Sequence, residues 1–311
     1  MVMIVVVVPA LTFAPFGIPA IAFWIYVCAS LIFIIGLIKI FKELPQEHGL
    51  DKIMPFGRMF FAMPLAVFGS EHFTITANIA AIVPRWIPAH TFWVYLVGVA
   101  FICAALSIVV LVQARLAAAL VGMTFLIFVL IMDLPGTIVH PHNRFFWALA
   151  LRQLAFSGGA FAFAMSPWST AIQPSRAQLK KALAAIPRFF VGIPSIFYGA
   201  EHLLHPEYAP GIPLQKLTPE WIPGRILLSY FVGVILILAG VCLLVNKKAR
   251  TAATVLGLTI LLTVLWIYLP MLIAAPKDVV ALNFFFDTLL FCGAILLLAN
   301  AIDKKTAVVR T

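Results

Sequence analysis

Two Glu-His pairs are the residues of this chain whose types and spacing are best suited to chemistry. Glu71 and His72 recur 130 residues further on as Glu201 and His202. A carboxylate beside an imidazole can exchange protons near neutral pH or bind the head group of a ligand. Both pairs end a long apolar run, where ionisable groups usually face a bundle interior or a water-filled cavity. They are therefore candidate ligand-binding or proton-relay sites, and the structural alternative is a hydrogen-bonded pair that closes a kinked helix.

A second pair of charged residues has opposite signs. Arg152 and Asp287 occupy matching positions 135 residues apart, each several residues from the predicted outer end of an apolar segment. Because an isolated charge at such a depth is costly, a partner is expected. We expect the two residues either to pair with each other or each to interact with the carboxylate-histidine cluster of its own unit. Asp133, on the same predicted side, joins these candidates for ligand binding or proton relay.

Further histidines collect on the same predicted side of the membrane. His140, His142 and His205 lie there together with Glu207. Imidazole and carboxylate groups can bind zinc, copper or iron, so the three histidines are candidate metal ligands. No spacing matches a ligand motif such as HExxH, and interfacial histidines exposed to water are the alternative. Because only the second Glu-His pair has His205 and Glu207 nearby, it is favoured as the working copy.

The composition identifies the environment that must position these residues. Of 311 residues, 64% are hydrophobic and 10% are charged, whereas soluble domains carry about 25% charged residues. A water-soluble globule is therefore excluded. Long apolar runs, rather than short alternating strands, favour helices that cross a lipid bilayer. We predict an all-α polytopic membrane protein with about nine transmembrane helices, at 17–41, 56–80, 91–112, 115–134, 144–165, 187–204, 225–246, 250–272 and 281–301.

The distribution of positive charge predicts an orientation. With the N-terminus outside and the segments alternating, fifteen of the 21 Lys and Arg residues fall inside. This positive-inside bias is typical of a membrane protein, and it places the C-terminus in the cytoplasm, most simply at a bacterial inner membrane. The net charge of +10 does not indicate nucleic acid, because no basic patch is interleaved with aromatic residues.

An internal repeat organises the chain. An Arg-x-Phe, a proline and a Gly-x-Glu-His recur at an offset of 130 residues, and Trp-Ile-Pro and later matches recur at 135. Each copy holds four predicted spans, so both enter the membrane with the same orientation and form a parallel repeat. The sequence thus predicts two four-helix-bundle units plus one N-terminal helix. The boundaries are an N-terminal helix and loop at 1–50, unit 1 at 51–165, a cytoplasmic linker at 166–186, and unit 2 with a short tail at 187–311.

Two segments carry a resemblance to a known family. Phe68-Gly69-Ser70-Glu71-His72 is followed by Trp86-Ile87-Pro88, and Tyr198-Gly199-Ala200-Glu201-His202 by Trp221-Ile222-Pro223. A four-span unit with this pattern resembles the DoxX-like membrane proteins, and the two units cover about residues 53–301. Most relatives have a single unit, so this chain resembles a tandem fusion with an added helix. Relatives include quinone-linked oxidoreductase subunits, proteins of thiol redox maintenance, and cargo receptors or assembly factors, so the resemblance implies a fold more than a reaction.

Two functions of different classes follow. The first is a membrane subunit of a redox system that binds a quinone or a similar small ligand, with a Glu-His pair bonding the head group. The sequence has no flavin, haem-attachment or nicotinamide motif, so a partner subunit would supply the electrons. The second is a non-enzymatic scaffold, assembly subunit or carrier whose buried polar residues are structural. A bound ligand in the interior would favour the first, and an interior bonded only to itself would favour the second.

Overall fold

The computed structural model describes residues 19–166, 184–212 and 216–302. Over these residues the chain is all-helical and has no β-strand; an isolated antiparallel bridge joins Tyr208 to Leu217. Nearly all of the predicted linker at 166–186 and most of the C-terminal tail lie outside the described residues.

The α-helices follow the predicted apolar segments. In chain order they are α1 (Ala20–Glu43), α2 (Phe56–Thr74), α3 (Thr76–Ile82), α4 (His90–Val110), α5 (Ala114–Phe128), α6 (Leu134–Val139), α7 (Arg144–Ala164), α8 (Ala185–Leu204), α9 (Arg225–Leu244), α10 (Ala249–Thr263), α11 (Leu269–Ala274) and α12 (Val279–Ala301).

In the part of the chain that the structure describes, seven helical stretches are long and apolar enough to cross a bilayer, so the chain is an integral membrane protein. They are Ala20–Gln46, Gly49–Thr74, His90–Val110, Ala114–Val139, Arg225–Leu244, Ala249–Ala274 and Val279–Ala301. The helices α7 and α8 were also predicted to span but are not in this group. The reason is their polar content, which includes Arg152 and Gln153 in α7 and Arg188, Glu201 and His202 in α8.

Two predicted segments differ in detail from the helices that form. The segment 56–80 is interrupted at Ile75, which leaves the helical region of φ/ψ space and separates α2 from α3. The segment 115–134 continues past its predicted end through a π-helical turn, Val129–Asp133, into α6. A similar π-turn, Val264–Tyr268, joins α10 to α11. Such π-turns within α-helices are frequent at functional sites.

The helix α12 lies at the centre of the bundle and packs against α2, α7 and α10. Glycine permits its closest approach, because a Cβ atom on Gly293 would stand 2.5 Å from the backbone nitrogen of Phe61 in α2. On α7, Gly159 packs directly on Ala294 in the same way. Small residues let helix backbones approach closely in a membrane, where packing rather than water exclusion holds helices together.

Several interhelical contacts recur at the 135-residue offset. In each, a side chain donates a hydrogen bond to a backbone carbonyl oxygen. The bond from Ser157 to Gly122 matches that from Cys292 to Gly257. The bond from Arg115 to Ala164 matches that from Arg250 to Ala299. Both of the long helices α7 and α12 also begin at a side-chain cap, Asn143 and Asp278 respectively. These contacts hold α5 against α7 and α10 against α12.

Candidate functional site

Glu71 lies in the last turn of α2 and points into the bundle. Its residue is 7% exposed, and its Oε1 atom is buried with no hydrogen-bond partner among the described residues. The amide side chain of Asn283 on α12 faces the Glu71 carboxyl group, and Asp287 on the next turn of α12 interacts with it electrostatically. The Oδ1 atom of Asn283 is also buried without a partner in the described part of the chain. Two helices thus present unsatisfied polar atoms close together.

The opposite charges at matching positions meet, as one of the two sequence expectations proposed. The Nη1 atom of Arg152 on α7 bonds Oδ2 of Asp287 on α12 at 2.5 Å. Asp133, in the π-turn after α5, interacts electrostatically with the same guanidinium. Its Oδ2 atom is buried and has no hydrogen-bond partner in the described structure. Arg152 therefore interacts with two carboxyl groups, Asp287 on α12 and Asp133 in the π-turn after α5.

A tyrosine that sequence reasoning missed stands among these charges. Tyr198 on α8 is completely buried, and its hydroxyl group donates to the carbonyl oxygen of Ala148 at 2.5 Å. Electrostatic interactions connect it with four charged groups, Arg152, Asp133, Asp287 and Glu201. The signal was present in the repeat: a tyrosine stands where the first copy has Phe68. A hydroxyl group added at a core position next to a carboxylate usually has a hydrogen-bond partner.

The second glutamate differs from the first because it is paired. Glu201 on α8 bonds Nη1 of Arg144 at 3.2 Å, and its side chain is 13% exposed. The guanidinium of Arg144 also lies over the ring of Tyr208, 4.6 Å from its centroid. Glu201 is thus paired with the cation of Arg144 in the first turn of α7, whereas Glu71 faces the neutral amide of Asn283.

The two histidines bond the backbone. The Nδ1 atom of His72, which is half-buried, donates to the carbonyl oxygen of Phe68 at 2.7 Å. His202 is completely buried, and its Nε2 atom lies 2.9 Å from the nitrogen and 2.8 Å from the oxygen of Gly211. Its Nδ1 atom has no partner among the described residues. His202 therefore fixes the loop after α8, where Gly211 has a φ of +126° that glycine tolerates.

The metal-ligand candidates do not converge. His140 and His142 are exposed and line a shallow depression of about 590 Å³ together with Asn143 and Arg144. His205 faces Glu207 at 3.5 Å, and both side chains are largely accessible. Among the described residues, no group of three or more His, Cys, Asp or Glu side chains is placed to hold a metal ion. These histidines are arranged as surface groups at the predicted outer end.

We call Glu71, Asp133, Glu201 and Asp287 the interior carboxyl cluster. The arginines paired with its members are Arg152 and Arg144. Four carboxyl groups thus share two cations, and the two with unsatisfied oxygen atoms, Glu71 and Asp133, are those that form no ion pair in the described structure. Both are less than 9% exposed, so water compensates them poorly.

No family model matches the sequence, and neither a curated protein nor a solved structure matches it.

Proposed function

We propose that this integral membrane protein binds a small ligand with a hydrogen-bonding head group between α2, α7 and α12, and that a quinone is the ligand class. One observation carries the proposal. Glu71 and Asp133 each keep a buried carboxyl oxygen with no hydrogen-bond partner among the described residues. Proteins in general bond most of their buried polar atoms, so these two oxygens are open to the donor group of a ligand.

The charge of the interior carboxyl cluster requires compensation. A buried polar group left without a partner costs roughly 1–3 kcal/mol, and more when it is charged. Arg152 is engaged by Asp287, which leaves Glu71 with a neutral amide as its nearest partner. A proton, a cation or the donor group of a ligand must therefore balance Glu71.

A quinone fits this chemistry because its reduction consumes protons and its head group offers carbonyl and hydroxyl oxygens. Glu71 and Asn283 would bond one oxygen of the head group, and Arg152 with Asp133 would supply a second polar contact. A redox partner subunit would deliver the electrons. In this chain, Asn283 and Arg152 would bind the head group. Glu71 and Asp133 would bind it too and would hold or release a proton at a carboxyl oxygen.

The first unit, not the second, is the working copy in this proposal. Glu201 is already neutralised by Arg144, and His202 is bonded to Gly211. The sequence interpretation favoured the second unit because of His205 and Glu207, but these two side chains face each other near the surface.

We further propose that α7 and α8 also cross the membrane, which gives nine spans and the two parallel four-helix units of a DoxX-like tandem. Support comes from their lengths of 21 and 20 residues and from the interhelical contacts that recur at one offset. Arg152 and Glu201 each form an ion pair inside the bundle, with Asp287 and Arg144 respectively, so their charges do not prevent insertion into the membrane. The orientation remains N-terminus outside and C-terminus cytoplasmic, in a bacterial inner membrane.

A scaffold or carrier is the second candidate, and a specific observation favours it. Tyr198 bonds Ala148 and Tyr268 bonds Pro210, both between separate segments, and the Arg152–Asp287 pair joins α7 to α12. Such bonds would be sufficient for a purely architectural interior. The two candidates differ in what they require of the Glu71 Oε1 atom, which has no hydrogen-bond partner among the described residues.

The deciding experiment compares Glu71→Gln with Glu201→Gln. Each protein is purified in mild detergent, the co-purified lipids and quinones are identified by mass spectrometry, and binding of a short-chain quinone is titrated. Glu71→Gln should lower quinone binding by about tenfold or more while Glu201→Gln changes it little, because Glu201 is paired with Arg144 whereas the Oε1 atom of Glu71 is buried without a partner among the described residues. If the wild-type protein binds no quinone, or both variants bind as it does, the redox function is rejected in favour of the scaffold.

The orientation has its own test. Single cysteines at His142 and Lys247, both exposed, are labelled in intact cells with a membrane-impermeant maleimide in a variant that lacks the four native cysteines. We expect labelling at 142 and none at 247 until the membrane is opened. Labelling of both positions from one side would contradict an odd number of spans between them.

A further inference from the structure

The two copies of the repeat differ in what covers the inner half of their first helix. In the sequence alignment of the repeat, Arg58, Met59 and Met63 of α2 correspond to Arg188, Phe189 and Ile193 of α8. The additional helix α1 packs along α2. The helix α8 packs against α7, α9 and α12 in the described structure, and α1 has no described counterpart there.

The covered face on α2 is closed by both charge and packing. Arg58 is 4% exposed and bonds both carboxyl oxygens of Glu43, at 2.7 and 2.6 Å, from the last turn of α1. Met59 is 1% exposed and lies against Gly36 of α1, whose added Cβ would stand 2.7 Å from the methionine Cγ. Met63 is 8% exposed. An anion and an apolar surface therefore accompany this arginine.

Among the described residues, the matching face on α8 has neither an anion nor a covering apolar helix. Phe189 is 44% exposed and Ile193 is 43% exposed, and Ile186 on the same face is 38% exposed. Arg188 makes one long bond, from Nε to the carbonyl oxygen of Ala184 at 3.4 Å, and its Nη1 atom is buried with no partner in the described residues. A guanidinium with no anionic partner among the described residues thus lies next to an exposed apolar face.

We infer that an anionic phospholipid occupies this face of α8, with its phosphate at Arg188 in the place that Glu43 takes at Arg58. A guanidinium binds phosphate through paired hydrogen bonds, as it binds a carboxylate. The acyl chains would cover Phe189 and Ile193 as α1 covers Met59 and Met63. The inference rests on the proposed crossing of α8, which places Arg188 at the headgroup level, and it is independent of the quinone site.

The test measures lipid preference by native mass spectrometry. The purified full chain is titrated with phosphatidylglycerol or with phosphatidylcholine of the same acyl chains. Wild-type protein should prefer phosphatidylglycerol, and Arg188→Gln should reduce that preference about fivefold, the effect of one basic residue near an anionic surface. Lys247→Gln, which removes an exposed charge at the same predicted end, should leave the preference unchanged. Inorganic phosphate at equal concentration should not compete, because the acyl chains contribute to binding.

Several outcomes would overturn the inference. Equal binding of the two lipids by the wild type would do so, as would equal effects of Arg188→Gln and Lys247→Gln. Capture of a protein rather than a lipid by a photo-crosslinking side chain at position 193 would show that a partner helix occupies the face. Arg188→Lys, which keeps the charge, should retain part of the preference and controls for misfolding. Quinone binding by Arg188→Gln should equal that of the wild type, so failure here is distinguishable from failure at Glu71.

Discussion

Removal of the Arg152 guanidinium tests whether the interior charges are arranged as described. Arg152→Gln deletes the cation that Asp287 bonds and that Asp133 interacts with. The side chains of Arg152 and Asp287 are 25% and 11% exposed, so solvent replaces little of what is lost. The substitution leaves Asp133 and Asp287 without a cationic partner among the described residues, and Glu71 lies close to Asp287.

The expected loss follows from breaking a buried ion pair on one side. Arg152→Gln should lower the free energy of unfolding by about 3–5 kcal/mol. Asp287→Asn should cost about 1.5–3 kcal/mol, the value of a hydrogen bond to a charged group, because Asp133 still faces the arginine. The double substitution Arg152→Gln with Asp287→Asn should cost less than the sum of the two, since each single variant leaves the partner's charge uncompensated.

A charge reversal makes a more particular prediction. Exchanging the residues, Arg152→Asp with Asp287→Arg, should not restore stability fully, because an aspartate at 152 would face Asp133. Adding Asp133→Asn to the exchanged pair should recover most of the remaining loss. This result would show that the incomplete recovery of stability comes from repulsion by Asp133 rather than from the geometry of the exchanged pair.

The assay is reversible unfolding by sodium dodecyl sulfate in mixed micelles, followed by far-UV circular dichroism and by tryptophan fluorescence. Coincident transitions from the two probes are the condition for quoting a free energy. Additive losses in the double variant would refute the pairing, as would an Asp287→Asn variant less stable than Arg152→Gln.

The remaining predictions concern packing, the outer ion pair and the two-unit organisation. Gly293→Ala should destabilise by about 1–3 kcal/mol in the same assay, and Gly257→Ala by less, because the new methyl group meets helix backbone at 293 but a movable leucine side chain at 257. Arg144→Gln should cost about 1 kcal/mol or less, since its bond to Glu201 is partly exposed; a loss as large as that of Arg152→Gln would contradict this. A protease site placed in 167–183 should yield, after cleavage, two fragments that co-elute in detergent, because α12 packs against α2 and α7; separate elution would contradict an extensive interface between the halves.

The sequence by itself determined the helical character, the membrane environment and the polar positions that would need partners. Apolar runs of this length leave the backbone no alternative to helix in hydrocarbon, so the element type follows from composition. The pairing of Arg152 with Asp287 could be expected for a similar reason, because opposite charges at matched depth are each too costly to remain alone.

The partners of the two glutamates depended on the tertiary structure. The two Glu-His motifs face different groups, Arg144 at Glu201 and Asn283 at Glu71. Each partner lies on the last helix of the other copy of the sequence repeat, and the positions that match Arg144 and Asn283 hold Val279 and Ala148. Local sequence does not show which helix lies beside each glutamate, because close interhelical contacts such as that of Gly293 with α2 set this arrangement. The residues that differ between the two copies make the sites unequal, and the packing of the helices decides which of these residues each glutamate meets.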